Sequence, residues 1–292
     1  MHEPLVSIII PMYNAESFIS ETIDSVIQQA YTDWELIIVD DGSTDESNSI
    51  VQNYCNRYPT IHYYHQQNLG VSYARNNGIE SSKGEFIALL DADDLWHKEN
   101  LQKKVNYLID NPDVDWVYSD MSAIDENGVK IDNPEQGKGQ DVLRNILLWN
   151  GEVVPGACSN LVFRKKCIQE DCSFDTQFST AADQDFTIQL ASKFTSHYIK
   201  ERLWSYRIIN NSMSRNIAIM EKDHIGVYKK AQINGLFTSF AFRRKCFSNM
   251  YLILGGSWWK DGNNKPRGLY FIIRSVVCWP SNIFNVMKKR VH

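Results

Sequence analysis

Three carboxylates fall within four positions at Asp91-Ala92-Asp93-Asp94, directly after an apolar run that ends at Leu90. Packed so closely, they repel one another unless a cation or donor groups compensate. A hard divalent ion with oxygen ligands, Mn²⁺ or Mg²⁺, suits such a cluster, because it keeps several waters and binds substrate phosphates. The plainer use of the same residues has Asp94 capping the next helix and Asp91 making turn hydrogen bonds. A second cluster, Asp40-Asp41-Gly42-Ser43, is equally a turn sequence by composition. Pro11-Met12-Tyr13-Asn14 and Asn68-Leu69-Gly70 follow two further short runs. Tyr13 offers an aromatic face for stacking on a nucleobase or for packing over a sheet end. No GxGxxG follows the first run and no GxxxxGK[ST] occurs anywhere, which argues against a dinucleotide or P-loop site.

The elements that must position these clusters are legible in the spacing. Short β-rich runs at 5–10, 34–39, 61–65 and 85–90 alternate with stretches of helical period, which predicts βαβ units and a mostly parallel sheet flanked by helices, an α/β fold. Phe18, Ile19, Ile23, Val26, Ile27 and Ala30 form one helix face, and Leu101, Val105, Leu108 and Ile109 another. Ser43-Thr44-Asp45-Glu46 fits a capping box and predicts a helix start directly after the second strand. Further strands are expected at 114–119 and 159–164, with a turn at Asp125-Glu126-Asn127-Gly128. Ala182, Phe186, Leu190 and Phe194 recur every four residues on a helix that starts at Ala182 or Asp183. In an open parallel sheet, ligands bind outside the carboxyl ends of the strands, and all four polar clusters lie there.

Taken together, Val6-Ser7-Ile8-Ile9-Ile10-Pro11-Met12-Tyr13-Asn14, Val39-Asp40-Asp41-Gly42-Ser43-Thr44-Asp45, Ala74-Arg75-Asn76-Asn77-Gly78 and Leu90-Asp91-Ala92-Asp93-Asp94 closely resemble the family 2 glycosyltransferases of GT-A fold. The resemblance is strong over 4–120 and recognisable to about 215; 220–292 carries no motif of the family. It implies a nucleotide-diphosphate sugar donor held by Pro11, Tyr13, Asn14, Asp40, Asp41, Arg75, Asp91 and Arg207. Within that set, Tyr13 and Asp41 would meet the base and Asp91 the ribose, while Asp93, with Asp91, would hold the cation. Arg75 has a surface ion pair as its other reading. The family's catalytic base sits in an acidic pair at a helix start, which Ala182-Asp183 resembles with one acid missing, so Asp183 is the implied base; a helix N-cap is its other reading. Tyr206-Arg207-Ile208-Ile209 resembles a stretch that ends in His. With Ile209 in that place, Arg207 or Ser212 is left to hold the diphosphate. The implied reaction is an inverting displacement onto a glycan or lipid-linked glycan hydroxyl, in a setting such as bacterial surface polysaccharide assembly.

Composition bounds the rest. The 292 residues are 43% hydrophobic and 22% charged, enough for a sizeable core. The six cysteines make no CxxC pair, which fits reduced thiols in a cytoplasmic setting. The net charge of −5 conceals an asymmetry: 1–219 carries 17 Lys and Arg against 32 Asp and Glu, whereas 220–292 carries 13 against 3. We therefore divide the chain into a GT-A catalytic domain, 1–217, and a basic helical C-terminal region, 218–292, with breaks expected at Gly255-Gly256 and 261–266. That region, rich in Trp and Tyr, suits an anionic membrane surface at the inner face of the cell membrane, or packing on the main domain or on a second copy as a homo-oligomer. Nucleic acid is disfavoured, since the acidic part carries the site. A sugar nucleotidyltransferase and a non-catalytic sugar-nucleotide or carbohydrate-binding protein are the competing functions.

Overall fold

The computed structural model describes residues 3–209 and 216–283, and only the backbone of 132–135. In chain order the elements are β1 (Val6–Met12), α1 (Ile19–Ile27), β2 (Trp34–Asp40), α2 (Ser47–Cys55), β3 (Ile61–His65), α3 (Val71–Glu80), β4 (Phe86–Leu89), β5 (Leu95–Trp96) and α4 (Asn100–Asp110). After these come β6 (Trp116–Ile124), β7 (Lys130–Glu135), α5 (Val142–Leu147), β8 (Val162–Arg164), α6 (Lys166–Gln169), α7 (Ala182–Lys193) and β9 (Ser196–Arg207). Three helices follow: α8 (Ile217–Ile233), α9 (Phe240–Lys260) and α10 (Lys265–Cys278). The sheet runs β3-β2-β1-β4-β8-β6-β9-β5, with β7 beside β6. Its first four strands are parallel and carry the polar clusters on their carboxyl ends.

Strict period-two alternation builds a core on each face. Val6, Ile8, Ile10, Leu36, Ile38, Phe86 and Ala88 point to the side covered by α1, α2 and α4. Their neighbours Ile9, Ile37, Val39, Ile87 and Leu89 point to the side covered by α3, α5 and α7. The second core continues into the C-terminal helices, where Tyr228, Met250 and Leu254 are buried with Phe186 and Trp116. Each such side chain contributes about 1.5–3 kcal/mol by leaving water.

Several local expectations give way to tertiary contacts. The capping box does not form: α2 begins at Ser47, whose N–H goes to Asp45 Oδ1 (3.0 Å), while the Ser43 hydroxyl accepts the Asn14 N–H across the strand ends (2.9 Å). Ala30 and Ile109 are exposed rather than in the core. Gly255-Gly256 does not break α9. A Cβ on Gly255 would stand 3.1 Å from the Gly268 carbonyl, so Gly255 and Gly268 serve the close crossing of α9 with α10, while Gly256 faces open space. The break expected at 261–266 is present but shorter, over 261–264, with the Asn264 side chain capping α10 and Pro266 already in its first turn. Among the described residues, no helix is long and apolar enough to cross a membrane. All six cysteines are free and four are buried.

Candidate active site

The first polar cluster is built from the ends of β1, β2 and β3. Asp41 N–H donates to the Met12 carbonyl (2.8 Å), which sets Asp41 beside Tyr13. The Asp41 carboxylate accepts from Gln66 Nε2 (2.7 Å) and from the Leu69 and Gly70 N–H groups (2.8 Å each). Three of roughly four lone-pair directions are thus taken, and one remains for a ligand. Gly42, at φ +80, leaves room for this loop, since a Cβ there would stand 3.0 Å from Asn68 N. The Tyr13 ring is 51% exposed, free to cover a flat ligand. Asn14, at φ +48, accepts the Thr44 N–H on its side-chain oxygen (2.8 Å) and so ties the β1 end to the β2 end. Two expected donor contacts lie below this surface. Asp40 is fully buried, accepting from Ser43 N–H and Tyr63 hydroxyl, and Pro11 is buried inside β1; both shape the strand ends out of a ligand's reach.

The acidic end gathers residues from four separate segments. Arg75, on α3, is 6% exposed and donates from Nη2 to Asp91 Oδ1 at 2.6 Å, with its guanidinium 5.1 Å from the Phe174 ring. Arg75 is thus buried in an ion pair with the half-buried Asp91, and its Nε has no partner among the described residues. Asp93 is pushed up to about 6, first by burial and then by the charge of Asp91, with Arg207 and Arg75 pulling the other way. Such uncompensated negative charge fits a divalent cation. Among the described residues, no three His, Cys, Asp or Glu side chains close a cage; Asp93 and Asp91 offer oxygens, and a hard ion completes its shell from water and phosphate. Asp183, in the first turn of α7, accepts the Gln184 N–H on Oδ1 (2.7 Å) and does not cap the helix, which starts at Ala182 with Ala181 before it. Burial raises its pKa; Arg75 and the Gln184 N–H pull it down, and Asp91 pushes it up. Asp183 also lines a cavity of about 200 Å³.

Arg207 is directed elsewhere. Its side chain is 1% exposed, bonded to Glu21 (2.7 Å), to the Asp93 carbonyl (2.8 Å) and to the Glu126 carbonyl (3.1 Å). The guanidinium is consumed in fixing the Asp93 turn, so it is not presented to a diphosphate. Ser212 lies outside the described residues. Sequence reasoning missed Ser159, whose hydroxyl donates to Asp94 Oδ2 (2.5 Å) and accepts the Asp91 N–H (3.0 Å). It also missed Asp223 on α8, a 1% exposed carboxylate that accepts the Ser179 and Thr180 N–H groups (2.8 and 2.9 Å) and so fixes the approach to α7. Neither sits in a local pattern that announces it.

Comparison with known proteins bears on the family and the fold. TuaG of Bacillus subtilis, named for teichuronic acid biosynthesis, is 33% identical over 220 residues, covering 73% of this chain and 83% of that protein. An uncharacterized glycosyltransferase of Methanocaldococcus jannaschii is 30% identical over 223 residues, 74% and 75% of the two chains. Among solved structures, the Pyrobaculum calidifontis mannosyltransferase PcManGT, in complex with GDP-Man and Mn²⁺, superposes with TM-score 0.65 at 17% identity, over 100% of this chain and 81% of that one. S. aureus TarS 1–349 with UDP-GlcNAc gives 0.63 at 18%, over 94% and 89%. These likenesses show the GT-A fold. The family model described as Glycosyl transferase family 2 matches residues 7–170, more than half of the sequence, and the chain belongs to that family.

Proposed function

We propose that this glycosyltransferase moves a sugar from a nucleoside-diphosphate donor to a hydroxyl of a glycan or lipid-linked glycan with inversion at the anomeric carbon, in surface polysaccharide assembly. The observation that carries this is the grouping of Asp91, Asp93, Arg75 and Asp183 past the carboxyl end of β4, with Tyr13 and Asp41 past the carboxyl ends of the neighbouring strands β1 and β2. Tyr13 covers the base and Asp41 receives one of its N–H groups. Asp91, held by Arg75, takes the ribose. Asp183 accepts the proton of the acceptor hydroxyl as the new C1–O bond forms, while the C1–O bond to the diphosphate breaks and its electrons go to the departing phosphate oxygen. The sugar ring gains oxocarbenium character in that step, as in glycosidase transition states. A divalent cation, Mn²⁺ or Mg²⁺, on Asp93 and Asp91 would supply positive charge to the leaving diphosphate. Arg207 contributes indirectly, by holding the Asp93 carbonyl. The test is the anomeric configuration of the first-formed product by proton NMR. Retained configuration refutes the single displacement.

The C-terminal helices support an acceptor met at a membrane surface. Leu269, Tyr270, Ile273 and Val277 of α10 are 47–68% exposed, and i, i+4 spacing lines Leu269, Ile273 and Val277 on one face. Basic side chains dominate this part of the chain, 13 against 3 acids over 220–292. A second copy would bring two such positive faces together, whereas an anionic lipid surface answers both the charge and the apolar stripe.

A further inference from the structure

α8 turns one face to the segment that leads into α7. Asp223, Gly226 and Lys230 fall at i, i+3 and i+7 and so line a single side of that helix. Asp223 Oδ2 accepts the Ser179 and Thr180 N–H groups (2.8 and 2.9 Å) and the Thr180 hydroxyl (3.1 Å). Gly226 lets the helix approach closely, since a Cβ there would stand 2.6 Å from the Phe178 ring. Lys230 bridges Asp175 and Asp185 at 2.8 Å each. Beside this face, His224 packs on the Trp149 ring (4.5 Å between centroids) and donates from Nδ1 to Gln184 Oε1 (2.8 Å). Glu221 anchors α8 in turn, accepting from Trp258 of α9 (2.7 Å) and from Arg267 of α10 (2.6 Å).

The same segment is held from its other side by α3. The Ser72 hydroxyl donates to the Phe178 carbonyl (2.9 Å), and Asn76 exchanges two bonds with the Phe174 backbone (2.8 and 3.0 Å). α3 also carries Arg75, which holds Asp91 at 2.6 Å. Residues 174–180 therefore join the helix that fixes Asp91 to the helix that grips the start of α7. Asp183 stands three positions after Thr180, and its Oδ1 accepts the N–H of Gln184, the residue whose side chain His224 holds. Asp223 is 1% exposed, and without its carboxylate two backbone N–H groups on this joint lose their acceptor. A reacting group displaced by about 1 Å can cost on the order of 10² in rate.

We propose that Asp223 is a positioning residue for the transfer step, holding the 179–180 backbone so that the Asp183 carboxylate keeps its place relative to the Arg75–Asp91 pair. α8 is then part of the catalytic apparatus, although it lies beyond residues 7–170 matched by the family model. This inference rests on Asp183 being the base.

A double-mutant cycle on the full chain tests it, with kcat and the nucleoside diphosphate Kd measured for each variant below its Tm. Asp223→Ala should lower kcat about tenfold or more with the nucleoside diphosphate Kd unchanged. Asp223→Asn, whose amide oxygen can accept the same two N–H groups, should recover most of that loss. In the Asp183→Asn background, Asp223→Ala should slow transfer by no more than about twofold further, because a residue that acts through the base has nothing left to position. Should Asp223→Ala not fold, His224→Phe takes its place in the cycle, since it keeps a ring against Trp149 and removes the bond to Gln184. A loss of about threefold or more is then expected in the unaltered background and none in Asp183→Asn. Unchanged kcat in the variant used, or a loss of the same size with and without Asp183, would overturn the inference and leave α8 a purely structural role. Asp183→Asn at full kcat removes the base and this role with it, whereas a slow Asp183→Asn beside a fast Asp223→Ala removes the α8 role alone.

Discussion

Replacing Asp183 by Asn removes the proposed base while disturbing little else. The Gln184 N–H that Asp183 Oδ1 accepts at 2.7 Å has an equivalent acceptor in the Asn side-chain oxygen, and the volume is nearly unchanged. Burial raises the pKa of Asp183 in the folded chain, so the folded state favours the protonated form, and the ionised form present at neutral pH is held at a cost in stability. A neutral amide removes that cost, and the Tm of Asp183→Asn should equal or exceed that of the unaltered chain. Turnover should behave differently. A positioned base is worth ~10²–10⁴ in rate, or about 3–5 kcal/mol of barrier at 1.36 kcal/mol per decade. The same raised pKa places the acid limb of the pH–rate profile above the ordinary carboxylate range, with activity rising as Asp183 loses its proton. The assay pairs steady-state kcat with calorimetric donor affinity and a thermal melt. A kcat within tenfold of the unaltered chain, or a Tm lowered by several degrees, would refute the reasoning, the second because it makes Asp183 structural.

Three further outcomes are expected. Chelation with EDTA should suppress transfer, and Mn²⁺ or Mg²⁺ should restore it, since burial and the charge of Asp91 push the Asp93 carboxyl up to about 6, which a bound cation would offset; full activity in metal-free buffer removes the cation from the mechanism. Gly268→Val should cost about 1–3 kcal/mol, read as a fall of a few degrees in Tm, because its Cβ would stand 2.9 Å from the Gly255 carbonyl and 3.1 Å from Trp259 N; an unchanged melt would mean that α10 is not packed on α9 as described. The unaltered chain should co-sediment with phosphatidylglycerol vesicles and the triple variant Leu269→Glu, Ile273→Glu, Val277→Glu should not, each lost apolar contact adding to cations worth about 1 kcal/mol apiece; equal partition of both proteins removes the membrane reading. Point variants are the right tool, because deleting 218–292 would strip Tyr228, Met250 and Leu254 from a shared core.

The parallel half of the sheet was legible because β1, β2 and β4 are buried on both faces and read as apolar runs interrupted only by Ser7 and Glu35, each ending abruptly in polar residues. Asp41, Asp91 and Asp93 stand where that change falls, and the family resemblance gave them their expected roles. What escaped depends on partners distant in sequence. β9 carries Lys200, Glu201 and Arg202 in its middle and shows no alternation to betray a strand, yet it pairs along most of β6. Ser43 looked like a helix cap, but its hydroxyl goes to Asn14, 29 positions away. Arg207 was expected at the diphosphate and is held instead by Glu21, 186 positions away. Gly255-Gly256 read as a break until Gly268 was seen against it. Trp149 and His224 have no local signature at all; only the packing of α5, α7 and α8 places them beside Asp183.

Phosphorus NMR of the products bears most directly on the central claim that Asp41, Asp91 and Asp93 hold a sugar nucleotide for glycosyl transfer. With a sugar-nucleotide donor, divalent cation and acceptor, the geometry predicts release of intact nucleoside diphosphate in step with glycosylated product. Release of pyrophosphate, or binding of donor with no diphosphate released over long incubation, would contradict it.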